Sequence, residues 1–327
     1  MISFVKPRVV ISKCIEFDFC RYNGEIIRSD VVAELKPFLE FLPVCAEMEI
    51  GLGVPRESLR VITKKGTTTL FQPSTQLDFT KQMTTFSQMY LSNLSEIDGF
   101  LLKSGSPSCG IKDVKIYPAE ANVAPVMRSV GLFGDAVLKK YAFLAIEDEA
   151  RLRNPSIREH FLRKIYLFAR FRQIKKDPIL KDLVSFQAQN KLLLMAYSQK
   201  ELKELGRITA NQEKKSTQEV FNAYEQHLYS ALMKAPRCSS NINVLLHSFG
   251  YFSGNLSKDE KSFFLDAVDQ YRAGKMSLAT TINILRSWII RFRDPYLQQQ
   301  TFFQPYPPEL VHADQIDSCQ NRDLWKF

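Results

Sequence analysis

The sequence lacks any long apolar run: none of about 18 or more apolar residues occurs in its 327 residues, and the opening MISFVKPRVVIS contains no extended apolar segment. We therefore expect a cytoplasmic protein with no membrane partner. Only four histidines and no C-x-x-C pair are present, which argues against an ordinary zinc ribbon. The segment GLGVPR, with Gly51 and Gly53, lacks the third glycine of a dinucleotide-binding fingerprint.

Charge is distributed unevenly along the chain. The net charge is +9, yet residues 1–150 hold 17 Lys and Arg against 18 Asp and Glu, whereas residues 151–327 hold 27 against 17. All of the excess positive charge therefore lies in the second half. A basic domain joined to a near-neutral one favours a polyanionic partner for the second half, and nucleic acid is such a partner.

The periodicity of apolar residues also changes between the halves. Short apolar runs, RVVIS, FLPV and GFLLK, alternate with helical patterns in the first half, and LRVIT with TTTLFQ predicts a hairpin. This alternation predicts an α/β domain with a mainly parallel, Rossmann-like sheet over residues 1–150. One helix is expected over residues 134–145.

Beyond residue 150 the pattern is almost entirely amphipathic and helical. It predicts an all-α domain over residues 151–311, including single helices over 156–176 and 183–205, followed by a tail over 312–327. The segment PYLQQQTFFQPYPPEL, rich in Pro and Gln, predicts an extended arm near the end of this domain.

Three of the six cysteines follow predicted strands. Cys14 comes after RVVIS, Cys45 directly after FLPV, and Cys109 in a short loop after GFLLK. Because ligands bind at the carboxyl ends of parallel strands, these three side chains can converge. Three thiolates without a nearby fourth ligand suit an iron–sulfur cluster with one open iron, whereas structural or inert cysteines are the simpler alternative.

The loop SGSPSCG, residues 104–110, cannot form a strand or the interior of a helix. Its serines, glycines and proline predict hydroxyls and free backbone N–H groups around Cys109, as an active-site loop provides.

The same segments carry a resemblance to known families. The motifs FLPVCAEMEIGLGVPR, SKCIEFDFCRYNG and LLKSGSPSCGIKDVKIY resemble DUF523, the thiouracil desulfidases, over most of residues 7–140. The helical half resembles DUF1722 in KLLLMAYS, NVLLHSFGYF and YLQQQTFFQPYPPEL. The combination is similar to the bacterial tRNA thiouridine desulfidases, in which a cluster domain is fused to a proposed RNA-binding domain.

The resemblance implies a role for each motif residue. Cys14, Cys45 and Cys109 would hold a [4Fe–4S] cluster whose fourth iron binds the thiocarbonyl sulfur of a thiolated uracil. Glu47 would act as general acid and base, and Ser106 would hydrogen-bond the substrate. Water would then replace sulfur without an electron donor, in thiolated tRNA or in a free thiobase.

Further residues are expected to support these two functions. Some lie beside the motifs and would line the substrate and cluster pocket: Arg21, Tyr22, Asn23, Arg56, Lys103 and Ser108. Others would contact RNA from the basic half: Arg163, Lys164, Arg170, Arg172, Lys191, Arg207 and His247. For the second set the alternative is an ordinary solvated helix face, and for His247 a core histidine.

Two alternatives stay open at the level of sequence. Cys20, close to Cys14 in the chain, would block the open iron if it served as a fourth ligand. The chain would then be a non-catalytic RNA-binding or redox-sensing protein, for which a carboxylate at Glu47 has no use. A desulfidase for free thiouracil is the other alternative, although it leaves the basic half without a purpose. The oligomeric state stays open.

Overall fold

A computed structural model describes residues 4–64, 67–118 and 124–311, and the predicted tail, residues 312–327, lies outside this part of the chain. The described residues divide into two compact units. Residues 6–154 belong to the first, and residues 4–5 together with 155–311 belong to the second. Within the described ranges, no helix has the length and apolar character needed to cross a bilayer.

The first unit alternates strands and helices. Its elements are β1 (Arg8–Ser12), α1 (Asp30–Leu35), β2 (Glu40–Val44), α2 (Ala46–Glu49), β3 (Arg60–Lys64), β4 (Thr67–Gln72), β5 (Leu77–Asp78), α3 (Thr80–Asn93), β6 (Gly99–Leu102), β7 (Val114–Pro118), β8 (Met127–Ser129), α4 (Leu132–Lys140) and β9 (Ala145–Asp148). A 3₁₀ turn at Arg151–Arg153 ends the unit.

A parallel sheet with strand order β2-β1-β6-β9 forms the centre of this unit. The inner strands are fully apolar and buried, because helices or loops cover both faces of a parallel sheet: Val10 and Ile11 of β1 and Leu101 of β6 have no exposed area. The predicted α/β class is thereby confirmed. Since β2, β1 and β6 are neighbours, the segments that follow them start side by side.

A second, mixed sheet has the order β5-β4-β3-β7-β8. Strands β3 and β4 form the predicted antiparallel hairpin, and β3 also pairs in parallel with β7. The sheet content of the unit is therefore split between one parallel and one mixed sheet, more than the single mainly parallel sheet that the sequence predicts.

The second unit is helical, as predicted. Its helices are α5 (Pro155–Lys176), α6 (Leu180–Gln189), α7 (Lys191–Tyr197), α8 (Gln199–Ala210), α9 (Thr217–Ala231), α10 (Cys238–Gly250), α11 (Lys258–Arg272) and α12 (Leu278–Phe292). The extended arm that follows contains 3₁₀ turns at Leu297–Gln299, Thr301–Phe303 and Pro308–Leu310.

Candidate functional site

The carboxyl ends of β1, β2 and β6 open into one cavity of about 490 Å³, and residues of β3 and β7 line it as well. We call it the thiol cavity, because Cys14, Cys45 and Cys109 all line it. The structure thus brings together the three cysteines that the strand-end pattern singles out. Neighbouring strands place them there: the Lys13 N–H donates to the Val44 carbonyl at 2.8 Å, and the Lys103 N–H donates to Ser12 Oγ at 2.9 Å.

Burial keeps two of the thiols protonated in the absence of a cation. Desolvation raises the pKa of Cys14 to about 12, and the neighbouring Cys45 adds to the rise. Desolvation also raises the pKa of Cys109, which the Ser12 hydroxyl counteracts by hydrogen bonding. A bound metal centre would reverse this preference, because coordination deprotonates a thiol.

Cys20 also lines the thiol cavity and is only 3% exposed. Its thiol donates a hydrogen bond to Cys45, which raises the pKa of Cys20 and lowers that of Cys45. The Cys45 Sγ also lies 3.9 Å from the Cys20 carbonyl oxygen. Cys20, which the strand-end pattern does not include, is therefore a direct neighbour of a candidate ligand.

In the described part of the chain, no group of three or more His, Cys, Asp and Glu side chains is arranged to hold a metal ion. The three strand-end thiols share the lining of one cavity.

The backbone N–H groups of the loop that carries Cys109 donate hydrogen bonds that fix the shape of the loop. Ser106 Oγ accepts hydrogen bonds from the N–H groups of Ser108, at 3.2 Å, and Cys109, at 3.0 Å. The Ser104 N–H donates to Glu149 Oε2 at 2.8 Å. The expectation of free N–H groups at these positions is therefore wrong, because the loop uses these donors to fix its shape.

The start of α4 packs tightly against this loop. The N–H of Gly134 donates to the Ser108 carbonyl at 3.0 Å, and that of Gly131 donates to the Gly110 carbonyl at 2.7 Å. A Cβ atom at Gly134 would lie 2.5 Å from the Gly110 carbonyl oxygen. Only glycine fits here, because the two backbone segments approach each other closely. The contact fixes the position of the Cys109 loop at the wall of the thiol cavity.

Glu47 stands at the same wall, in the short helix that begins after Cys45. Arg56 donates to Glu47 Oε2 from Nε at 2.8 Å and from Nη2 at 2.7 Å, and the Ser108 hydroxyl donates to Oε1 at 2.9 Å. The side chains of Glu47 and Arg56 are 13% and 7% exposed. This bidentate contact brings two guanidinium nitrogens to one oxygen, and Ser108 holds the other, so both carboxylate oxygens are fixed in position.

Arg56 has a second role in this arrangement. Its Nη1 donates to the carbonyl oxygens of Cys20, at 3.1 Å, and Gly53, at 3.2 Å. One guanidinium thus links the carboxylate to the segment that carries Cys20. The sequence singled out Arg56 for charge balance near the motifs but gave no sign of its contact with Glu47.

Lys103 also lines the thiol cavity, where its Nζ lies 2.6 Å from Glu149 Oε1. Glu149 follows β9, a strand that the sequence did not predict; only its first residue, Ala145, falls within the predicted helix over 134–145. An apolar stretch, AFLAI, followed by acidic residues was the signal that could have identified it.

The other pocket predictions separate into two groups. Arg21 and Tyr22 line the cavity, with the Arg21 guanidinium 5.2 Å from the Tyr22 ring centroid and paired with Glu25 at 3.0 Å. Asn23 does not line it, and its Oδ1 accepts from the Glu25 N–H. Ser108 is fully buried, so it acts on Glu47 rather than on a ligand.

The predicted RNA-contacting residues also separate by exposure. Arg163 and Lys164 are only 4% and 6% exposed, and Arg163 Nε donates to Glu159 Oε1 at 2.6 Å. The structure therefore does not place these two on an open phosphate-binding face, because α5 is buried on most sides. The other predicted RNA-contacting residues are half-buried or exposed: Arg170, Arg172, Lys191, Arg207 and His247.

Two family models match the chain. Residues 9–149 match the 2-thiouracil desulfurase family, and residues 191–307 match DUF1722, a family of proteins of unknown function.

Among individual proteins, the uncharacterized protein YbgA of Escherichia coli (strain K12) is 24% identical over 146 residues, covering 44% of this chain and 86% of YbgA. A solved structure of the [4Fe-4S]-dependent thiouracil desulfidase TudS is 26% identical, with a TM-score of 0.36, and covers 45% of this chain and 94% of that one. The chain is therefore similar to the 2-thiouracil desulfurase family over residues 9–149 and to DUF1722 over residues 191–307.

Proposed function

We propose that this protein is an iron–sulfur-dependent desulfidase that acts on thiouridine in tRNA. The carbonyl oxygen that replaces sulfur comes from water, so a thiobase and water give the oxygenated base and hydrogen sulfide, with no net transfer of electrons. The observation that carries the proposal is the position of Glu47, fixed by Arg56 and Ser108, at the wall of a cavity lined by three strand-end thiols.

The donor set fits a [4Fe–4S] cluster. Cys14, Cys45 and Cys109 come from three adjacent segments and share the thiol cavity. Soft thiolates are the ligands that iron–sulfur clusters take in proteins. A cluster held by three of them would supply a Lewis acid suited to thiocarbonyl sulfur. The Lys103 ammonium and the Arg56 guanidinium at the cavity would offset part of the negative charge of the thiolates.

Glu47 is the group that would move protons. Its Oε2 accepts two hydrogen bonds from Arg56 and its Oε1 accepts one from Ser108, so Oε1 keeps a lone pair that can accept a further hydrogen bond. A water molecule at the cavity wall can therefore be oriented and deprotonated there. The proton then returns to a ring nitrogen of the base, or to the departing sulfur.

Ser106 would contact the base from the neighbouring loop. Its oxygen accepts two backbone N–H groups, which fixes the side chain and leaves its own O–H to donate. Since Ser106 lines the thiol cavity, that O–H can stabilise negative charge developing on the reacting group.

The RNA part of the proposal depends on charge. The second unit carries the whole positive excess of the chain, and among its predicted contact residues Lys191 and Arg207 are exposed. Neutralising phosphates with such side chains provides affinity that is independent of base sequence. A base flipped out of the RNA would then enter the thiol cavity.

One observation favours a second candidate. Because Cys20 lines the same cavity and hydrogen-bonds Cys45, four thiols are available to a cluster. A cluster with four protein ligands would have no open iron, and the protein would be a sensor or a structural iron–sulfur protein. Glu47 distinguishes the two, since only the desulfidase needs a carboxylate at this wall.

The test is replacement of Glu47 by Gln in anaerobically reconstituted protein. We expect sulfide release to fall by about 10²–10⁴-fold, the usual contribution of a general acid or base, while the iron and sulfide content stays that of the wild type. Glu49→Gln is the matched control, because Glu49 lies on the same short helix but is exposed. Undiminished turnover in Glu47→Gln would disprove the assigned mechanism.

A further inference from the structure

The second unit contains a pocket that the desulfidase function does not use. Its volume is about 350 Å³, within the range of small-molecule sites. The first turns of α5 and α12 form two walls, and the arm segment over residues 302–311 forms the third. We call it the arm pocket. Its apolar surface includes Phe303, Pro305 and Ile282.

Buried charge fixes one wall of the arm pocket. Arg163 donates to Glu159, and the Tyr306 hydroxyl donates to the other carboxylate oxygen. Arg163 and Tyr306 are 4% and 3% exposed, and the Arg163 guanidinium lies 6.0 Å from the Phe302 ring centroid. A buried ion pair costs desolvation energy that packed apolar residues would avoid, so its presence beside a pocket suggests a ligand-binding role.

The polar side chains that α12 and the arm contribute to the pocket form only long hydrogen bonds with one another. Arg286 lies 3.4 Å from Asn283 Oδ1 and 3.5 Å from Gln304 Oε1, both at the long limit for hydrogen bonds. All three side chains line the pocket and are exposed or half-buried. A ligand can therefore compete for two amides and one guanidinium without breaking a strong contact.

This combination matches a nucleotide. Bases of unpaired RNA are recognised by hydrogen bonds to their edges, which the amide side chains of Asn283 and Gln304 provide. Arg286 adds a partner for phosphate. The positive excess of the second unit favours such an anionic ligand over a neutral apolar one.

We propose that the arm pocket receives one unpaired nucleotide of the RNA, away from the base that reacts. The proposal rests on the proposed function for the identity of the polyanion as RNA. It also gives buried Arg163 a place in recognition, as part of a pocket wall instead of an open phosphate-binding face.

The experiment uses full-length protein and single-stranded RNA that carries 5-iodouridine but no thiolated base, so that binding is measured without reaction. We expect ultraviolet cross-links to fall within residues 302–306. Replacing Arg286 or Gln304 by Ala should weaken binding at least about tenfold, the loss typical of one base contact. Arg272→Ala is the control, because Arg272 is an exposed, ion-paired arginine of the same unit.

Two results would overturn the proposal for the arm pocket. One is cross-links confined to other segments. The other is an RNA affinity of the Arg286→Ala and Gln304→Ala proteins equal to that of the Arg272→Ala protein. Sulfide release from free thiouracil is measured on the same preparations. Its absence in the wild type would count against the proposed function and leave the RNA-binding result to decide the pocket separately.

Discussion

The thiol cavity and the arm pocket differ in the chemistry of their walls. The thiol cavity is lined by reactive groups on loops that follow parallel strands, with a carboxylate held by an arginine and a serine. The arm pocket is lined by aromatic rings, prolines and amides, and its ionic pair is fixed on one wall. The first thus holds thiols and a carboxylate, the groups that the proposed reaction needs, whereas the second offers hydrogen-bonding groups beside an apolar surface.

The difference follows from the architecture of each unit. Adjacent parallel strands deliver several short loops to one edge of a sheet, so remote cysteines meet there. A helical unit lacks such an edge and forms its pocket where two helices and an arm meet. We infer that the first unit supplies catalysis and the second supplies binding of the RNA. The following variants test that division.

The largest effect is expected from the thiols. Cys109→Ser should abolish incorporation of iron and all sulfide release, because it removes one of the three proposed ligands from the wall of the thiol cavity. Cys20→Ser should keep the iron content, because Cys20 acts through its hydrogen bond to Cys45. Iron and acid-labile sulfide per chain are measured for both proteins. Equal loss of iron in the two would show that Cys20 is a ligand and would favour the sensor.

A smaller effect is expected from the group that positions Glu47. Arg56→Lys keeps the charge but loses the bidentate contact, so kcat should fall by up to about 100-fold with little change in KM. The reconstituted proteins are compared for kcat, KM and iron content. Arg28→Lys is the control, since Arg28 is 71% exposed and pairs with Glu16 at 3.6 Å. A change in KM alone would mean that Arg56 contacts substrate instead.

The smallest effect is expected from single exposed cations. Arg207→Ala in the second unit should lower RNA affinity severalfold and reduce the slope of log affinity against log salt by about 0.7–0.9, one phosphate contact. Lys139→Ala is the counterpart in the first unit, because both cations are exposed and ion-paired on helices. Equal slopes for the two proteins would remove Arg207 from the RNA interface.

Sequence was sufficient for the framework of the thiol cavity. The runs RVVIS and GFLL are largely apolar because β1 and β6 are the inner strands of the parallel sheet, and FLPV forms its edge strand β2. Because β2, β1 and β6 are neighbours in the sheet, the three cysteines that follow them lie in one cavity. This proximity depends on the strand order and not on any local sequence signal. The motif resemblance supplied the functional roles that the geometry alone does not assign.

Contacts formed by turns could not be predicted in the same way. Cys20 reaches the cavity because residues 14–27 fold back on themselves: the Ile27 N–H donates to the Cys14 carbonyl at 2.8 Å. The Arg56 N–H in turn donates to the Tyr22 carbonyl at 2.7 Å. Such return paths leave no periodicity in the sequence, so the Arg56–Glu47 contact had no sequence signal.

Helix boundaries were missed where side chains interrupt a continuous pattern. The segment predicted as one helix over residues 183–205 contains parts of three helices. Asn190 ends α6, where its side chain donates a hydrogen bond to the Phe186 carbonyl and accepts one from the Thr301 hydroxyl. Ser198 then caps the start of α8. Likewise, the helix predicted over 134–145 ends at Lys140, and the apolar residues that follow enter β9. Amphipathic periodicity alone does not reveal these stops.

The central claim is that the first unit catalyses sulfur removal and the second binds the RNA. The most direct test measures sulfide release by anaerobically reconstituted full-length protein. Thiouridine-containing tRNA and free thiouracil are compared as substrates, each at low and at high salt. The account predicts that kcat/KM for the tRNA is higher at low salt and falls steeply as salt rises, while the value for free thiouracil changes little. Identical salt dependence for the two substrates, or no preference for the tRNA, would contradict it.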